Sequence, residues 1–479
     1  MDTGHAAWVL TSASLVLLMT PGLALFYGGM TRSKSILNMM MMSFGAMGVI
    51  SVVYILWGYS MSYSSITATA DGDVAGDSIG NLFSSPFALF GLTDIDPAAY
   101  LTVAFQLTFA VITAALISGA IADRVKFSAW MVFVPIWVTL AYFPLAHQVW
   151  GGGFLSGNPD GLAATIFGTV GEGAEKVAEI APLDYAGGTV VHINAGVAGL
   201  VLALVIGTRK GFGKQPMKPH NLPLTMLGAG LLWFGWFGFN VGSFVPTATA
   251  GVAGDEGDFY TNSAAFAANF VGEAGLVWVN TTAAAAAAML GWLLVEKIRD
   301  GKGTSLGAAS GVVAGLVAIT PACGALSPVG SLILGVVAGA AAALAVGLKY
   351  RFGYDDSLDV VGVHLVAGLV GTVGIGFLAT SGGLFYGDGV KQLVVQTAVA
   401  FYAMIWSAIA TLVIALAIKY TMGWRIEEDD EVEGIDFTEH GESAYDFAGT
   451  PGRRGSLGGS VLAGSVLGTK ASVEEGAQA

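Results

Sequence analysis

Two histidines sit in matching apolar surroundings 172 residues apart. His192 stands in H-I-N-A-G-V-A-G and His364 in H-L-V-A-G-L-V-G, so both read H-x-x-A-G-x-x-G. A neutral imidazole both donates and accepts a hydrogen bond, so two rings sharing a proton line a narrow apolar path with polarity but no fixed charge. Such a path passes a small neutral dipole more readily than a bare cation. Ionisable side chains inside a membrane mark substrate or proton routes, and repeated segments mark transporters. The competing chemistries are unrelated polar helix contacts, against which the repeated context weighs, and ligation of a haem by both imidazoles. Four-helix membrane cytochromes usually carry two histidines on one helix, whereas each copy here holds one.

Asp184 precedes His192 by eight residues. It reads either as the cap of a helix starting near the membrane boundary or as a carboxylate that stabilises an arriving cation, and the two roles are compatible. Aromatic rings form the next constellation: Phe105 and Phe109 flanking Gln106 in F-Q-L-T-F, Trp150 in H-Q-V-W-G-G-G, and Trp236, Phe239, Asn240 and Ser243 in W-F-G-F-N-V-G-S. Rings near helix ends commonly belong to interfacial belts. Flanking glycines instead suggest rings held against close backbones, where a cation–π cage contributes about 0.5–2 kcal/mol per ring and concentrates a monovalent cation without a charged ligand. Ser243 would accept a hydrogen bond from the guest.

The elements that must carry these residues are membrane helices. Of 479 residues, 54% are hydrophobic and 11% charged, far below the roughly 25% charged of soluble domains. The 69 glycines suit close packing of helix backbones in lipid, where apolar burial drives association weakly. Continuous apolar runs argue against a β-barrel. The single cysteine, Cys323, excludes an internal disulfide and supplies no metal cluster. With about 20 apolar residues needed per crossing, eleven transmembrane helices are expected, near 6–28, 36–61, 99–121, 127–146, 184–207, 222–246, 264–294, 305–321, 328–348, 359–380 and 390–419. The first, too long for a signal-peptide core, reads as a retained helix.

Alternate loops and the tail then hold 18 of the 20 basic residues, all but Lys176 and Lys391. By the positive-inside rule the N-terminus lies outside and the C-terminus inside. Five helices precede the basic loop 208–221 and five follow it, and the histidine copies fall on the fifth and tenth. An odd number of crossings per unit inverts the second, so the expected fold is all-α, an inverted 5+5 repeat (about 6–207 and 222–380) plus an extra helix. A transmembrane domain 1–422 is followed by an acidic tail, 423–447, whose Ile435, Phe437, Tyr445 and Phe447 supply apolar surface for docking. A disordered Gly/Ser-rich end, 448–479, closes the chain.

At D-Y-A-G-G-T-V-V-H-I-N-A-G, with W-F-G-F-N-V-G-S, D-D-S-L-D-V-V-G-V-H and the tail E-H-G-E-S-A-Y, the chain resembles the ammonium transporter (Amt/Mep/Rh) family from residue 6 to about 447. Trp150 and the acidic tail place the likeness in the Amt branch. The resemblance implies a multi-pass protein of the cell membrane, of the bacterial inner-membrane kind. It further implies a homotrimer with one pore per subunit, no enzymatic activity, and no cofactor, metal or nucleic-acid partner. By motif position Trp150, Phe109 and Ser243 would recruit ammonium, or methylammonium as its analogue, with Asp184 in support. Phe109 and Phe239 would be the stacked gate and His192 and His364 the paired pore histidines. Phe105, Gln106, Trp236, Asn240, Asp356 and Asp359 would flank these positions, the two aspartates as caps or participants in transport. Ammonium would lose its proton at the gate and continue as ammonia, the proton either crossing separately, which makes transport electrogenic, or not crossing at all. Regulation is implied at the tail, by a PII-type protein or by phosphorylation of Thr438. A sensor signalling through its tail is the alternative function. Leu365 stands where many family members carry glycine, and the loop 151–183 is longer than in typical bacterial members.

Overall fold

The structure, a computed structural model, describes residues 3–76, 78–244 and 263–445. The expected Gly/Ser-rich end, Phe447 and most of the loop 247–263 lie outside the described residues. Ten described helices are long and apolar enough to cross a membrane. We label them with one shorter helix in chain order: α1 Thr3–Met30, α2 Ile36–Tyr63, α3 Pro97–Ile121, α4 Phe127–Trp150, α5 Gly188–Ile206, α6 Leu222–Val241, α7 Ser263–Asp300, α8 Ser305–Ile319, α9 Pro328–Phe352, α10 Val361–Leu378 and α11 Lys391–Thr421. The shorter one, α8, has 15 residues, against about 20 for a full crossing. Conversely α7, with 38 residues, extends for roughly 57 Å, well past the span expected from its apolar run. The tail adds two short helices, α12 Glu428–Glu433 and α13 Ile435–His440.

Two boundaries depart from the sequence expectation for local reasons. α4 runs to Trp150 rather than ending near residue 146, because a π-helical turn at Val138–Tyr142 lets the helix continue past Pro144. α5 begins at Gly188, not at residue 184, because Gly187 turns the chain with φ +114°, a left-handed conformation that glycine enters at little cost.

The loops sort onto two faces. On the basic face the turns after α1, α3 and α5 meet the tail, and the turn after α9 packs on those after α3 and α5. Arg209 grips both oxygens of Asp355, through Nε at 2.9 Å and Nη2 at 2.9 Å, and its Nη1 reaches Asp123 at 3.1 Å. Arg124, fully buried, donates to the Ser357 hydroxyl at 2.5 Å and to the Asp355 carbonyl at 2.7 Å. Lys126 donates its amide to the Trp424 carbonyl at 2.9 Å. On the opposite face His147 meets the Ser78 hydroxyl at 2.8 Å, and Leu183 donates to Gln396 of α11 at 2.8 Å. Two short hairpins, β1 (Ser78–Ile79) with β2 (Phe83–Ser84) and β3 (Thr169–Val170) with β4 (Val177–Ala178), lie in the loops of this second face.

Helices α5 and α10 pack directly, and their contacts run in opposite order along the two chains. Gly199 lies against Val360, Gly196 against Leu365, and Gly368 against His192. The helices therefore cross antiparallel, as the halves of an inverted repeat do. The repeated glycine of H-x-x-A-G-x-x-G now has a physical reason. A Cβ at Gly368 would stand 3.3 Å from His192 Cβ, and one at Gly196 would press into the Leu365 backbone. Each glycine admits the other repeat's histidine segment, and buried Leu365 fills the space above Gly196.

Candidate functional site

Both histidines sit in π-helical turns, His192 within Gly188–Ile193 and His364 within Val361–Val366. Such single-turn bulges recur at functional sites because the extra residue re-aims a side chain and frees a backbone group. Each turn is fastened by an aspartate eight residues before its histidine. Asp184 accepts four amides, from Gly187 (2.9 Å) and Gly188 (2.6 Å) on Oδ1 and from Thr189 (2.9 Å) and Val190 (3.2 Å) on Oδ2. Asp356 accepts those of Val360 (3.0 Å) and Val361 (2.7 Å). The shared D-x7-H spacing is readable in the sequence and extends the H-x-x-A-G-x-x-G repeat upstream of each histidine. Burial pushes the Asp356 carboxyl up to about 6 although the Lys349 ammonium opposes the rise. Asp359 is turned elsewhere and pairs with Lys349 at 2.6 Å.

The rings form one file. Trp150 lies edge-on to Phe109 with centroids 6.1 Å apart, and its indole N–H donates to the Asp184 carbonyl at 2.9 Å. Phe109 stacks on Phe239 at 4.1 Å and 21°. Phe105 backs Phe109 at 4.8 Å. Phe239 is followed by His192 at 6.1 Å, and His192 stacks between Trp236 at 5.5 Å and His364 at 5.4 Å. Ser243, one turn beyond Phe239, donates its hydroxyl hydrogen to the Phe239 carbonyl at 2.8 Å. Its oxygen lone pairs remain available to a guest that donates. The Gln106 carbonyl oxygen is buried and has no partner among the described residues.

Asp184 thus reaches the ring file indirectly. Its two oxygens are occupied by helix amides, while its main-chain carbonyl positions Trp150. Trp236 donates to the Thr320 hydroxyl at 2.8 Å, and Asn240 ties Thr320 and Thr281 at 3.3 and 2.9 Å. These two threonines had no distinguishing sequence signal.

Between the two imidazoles the Nδ1 atoms stand 3.3 Å apart. For neutral rings one Nδ1–H must donate to the other's lone pair. The donor then presents an accepting Nε2 and the acceptor a donating Nε2–H, and these roles exchange when a proton arrives at the first Nε2, the shared proton crosses between the Nδ1 atoms and the second Nε2 gives its proton up. His192 Nε2 is buried without a partner among the described residues. Both rings line a cavity of ≈ 10 Å³ walled by apolar side chains such as Leu23, Phe26, Leu116 and Val313, at the lower limit for a single water-sized guest.

We expect Gly368→Val to wedge α10 away from His192 and to destabilise the protein by about 1–3 kcal/mol. The thermal unfolding midpoint in detergent checks this, since an unchanged midpoint would mean that the helices do not meet this closely.

Residues 7–445 match the profile of the Ammonium Transporter Family. The chain is 48% identical, over 99% of its length and 94% of the relative's, to the ammonium transporter of Mycobacterium tuberculosis. To that of Aquifex aeolicus it is 43% identical, over 93% and 94% of the two chains. Among solved structures it is similar to Saccharomyces cerevisiae Mep2, with a TM-score of 0.70 at 29% identity across 89% of this chain and 91% of the other. It is also similar to a sensor Amt protein, with a TM-score of 0.74 at 26% identity across 91% and 98%.

Proposed function

This chain belongs to the ammonium transporter family, and from that premise we propose that it carries ammonium across the membrane by selecting the cation and conducting the neutral base. The observation that carries the reading is the unbroken file Trp150, Phe109, Phe239, His192, His364, with neighbouring centroids 6.1, 4.1, 6.1 and 5.4 Å apart. Trp150, Phe109 and the Ser243 oxygen hold the cation, and Asp184 supports them by fixing Trp150 and the start of α5. The Phe109–Phe239 stack closes the way inward. One N–H bond of ammonium breaks there, the electron pair stays on nitrogen, and ammonia enters the apolar cavity while the proton leaves separately by way of the two imidazoles. Potassium fits a ring cage comparably but has no proton to shed, so it stops at the stack. Net transport is then electrogenic. Conduction of ammonia without the proton is the contrasting outcome.

The protein works as a homotrimer with eleven crossings per subunit, α8 completing its crossing through the turn after Ile319. Its N-terminus lies outside and its tail in the cytoplasm. The domain division is transmembrane 1–422, with repeats about 6–207 and 222–380 and an extra helix about 390–419, then a regulatory tail 423–447. A second reading, that the chain reports ammonium through its tail, is favoured by how the tail is held. Asp436 caps α2 by accepting the Leu37 and Asn38 amides at 3.0 and 2.8 Å, and Glu439 accepts the first amide of α4, that of Phe127, at 2.9 Å. Ile435 is fully buried, whereas Phe437 is exposed, so carboxylates do more of the docking than the apolar surface. A PII-type protein would engage this face. Alternatively, phosphate on Thr438, whose hydroxyl now donates to Asp430 at 3.1 Å, would set like charges together and loosen the tail.

The test is methylammonium uptake measured with membrane current in proteoliposomes. Trp150→Leu keeps an apolar side chain but removes the π face, and it should raise the half-saturating ammonium concentration about 5- to 30-fold, a loss of about 1–2 kcal/mol, with the maximal rate less affected. Potassium competing as well as ammonium in the wild type would count against the cage.

A further inference from the structure

The basic face contains a second cavity, of ≈ 330 Å³, away from the ring file. Arg32, Lys34 and Ser35 of the α1–α2 turn line it together with Lys218 and His220 of the α5–α6 loop, and Glu431, Val432 and Gly434 of the tail form another wall. The tail's carboxylate there is already engaged, since Glu431 pairs with Arg425 and accepts the Lys210 amide at 2.6 Å. Arg32 leans on Asp123, with Nε 3.5 Å from its Oδ2. His220 is held by the Thr31 carbonyl at 2.9 Å. Lys34 and Lys218, by contrast, have no carboxylate within 4.0 Å among the described residues. The cavity therefore gathers cationic side chains whose only lining carboxylate is neutralised from outside it.

A second feature marks the tail's grip on this turn. A serine at the Ser35 position ordinarily caps its own helix, but the tail's Asp436 has taken those amides, and the Ser35 oxygen is closed off behind the wall of the cavity. The groups that line the cavity from the loops are then two ammonium groups and a guanidinium, which match the several acceptor oxygens of a tetrahedral oxyanion.

We propose that this cavity binds a phosphate group, and that the bound phosphate fastens the tail to the α1–α2 turn. The fastening follows from contact: Gly434 of the tail takes φ +122°, and a Cβ there would come within 2.9 Å of the Lys34 carbonyl oxygen. The tail backbone thus lies directly on the lysine that would hold the ligand. The phosphate comes either from the headgroup of an anionic lipid in the adjoining leaflet or from a free phosphate-bearing solute.

Full-length protein in detergent, stripped of lipid, is titrated with inorganic phosphate and followed by 31P line broadening. The same protein passed through nanodiscs of phosphatidylcholine with or without phosphatidylglycerol is analysed by native mass spectrometry for retained lipid. We expect saturable binding of at least one probe, weakened about tenfold or more in Lys34→Gln with Lys218→Gln and unchanged in Ser35→Ala, whose oxygen is closed off from the cavity. Lys34→Arg with Lys218→Arg should keep it, which separates loss of charge from loss of fold. Phosphate binding that vanishes in the glutamine variant identifies a free solute. Phosphatidylglycerol retention that vanishes identifies a lipid. If neither probe binds the wild type, or both bind wild type and glutamine variant equally, the proposal fails.

Discussion

Replacing His192 and His364 together with alanine should cut the ammonium-dependent current in proteoliposomes by about 10²-fold or more, the scale on which a positioned proton-transfer group contributes. The rings meet Nδ1 to Nδ1 at 3.3 Å, and His192 is stacked against Trp236 at 5.5 Å, so neither can turn to another partner without leaving the file. Alanine removes the hydrogen-bonded link and leaves a wider apolar cavity. A charged proton then has no path, and what crosses does so as ammonia, without current, or as an unselected cation. The second outcome appears as potassium current. Asparagine at either position alone keeps a polar group of similar reach but cannot carry a proton, so it separates proton relay from space filling. Unchanged current together with unchanged selectivity in the double alanine variant would falsify the role given to the pair.

The other large effect lies on the basic face, away from the ring file. Arg209→Ala should destabilise the protein by about 3–5 kcal/mol, because it leaves Asp355 buried and unpaired. Asp355 is fully buried and loses two side-chain hydrogen bonds at once. Replacing the pair with Arg209→Met and Asp355→Leu should recover much of the loss, since well-packed apolar residues remove the uncompensated charge. Thermal unfolding in detergent reads both. The pair also carries a pH dependence of definite sign. Burial by itself would raise the Asp355 carboxyl, but hydrogen bonding and charge from Arg209 more than offset this and hold it below its usual value. A group depressed in the folded state contributes stability above its unfolded value, about 3.9, and loses it as pH falls through the lower folded value. The midpoint should therefore drop below about pH 4 more steeply in the wild type than in Arg209→Ala.

The tail joins the loop that carries Arg209 to the start of α2. Glu431 pairs with Arg425 and accepts the amide of Lys210, next to Arg209, while Asp436 caps α2. Releasing the tail exposes the α2 N-terminus and the cavity beside Lys34 together. A phosphate site there offers a physical link between the membrane or cytoplasm and the tail that does not pass through the ring file.

Much of this was legible in the chain itself because the governing signals are local. Runs of apolar residues set the helices, and the alternation of loop charge anticipated that the turns carrying Arg32, Arg124, Arg209 and Lys349 would share a face with the tail. The paired H-x-x-A-G-x-x-G marked α5 and α10, and W-F-G-F-N-V-G-S marked the rings. What only the tertiary structure decided is which groups meet. Phe109 and Phe239, 130 residues apart, stack because α3 and α6 bring them into register. The imidazoles join through Nδ1 because glycines at 196 and 368 remove the Cβ atoms that would hold the helices apart. Asp184 could be read as cap or cation ligand from sequence, and the four amides on its oxygens came from a turn set by Gly187 at φ +114°. The helix-capping work of Asp436 and Glu439 was likewise unreadable, because a carboxylate in an acidic tail carries no mark of the distant amide it will satisfy. Composition and periodicity determine what each segment is; close approach, donor counts and ring register are properties of pairs, and they exist only once the chain has folded.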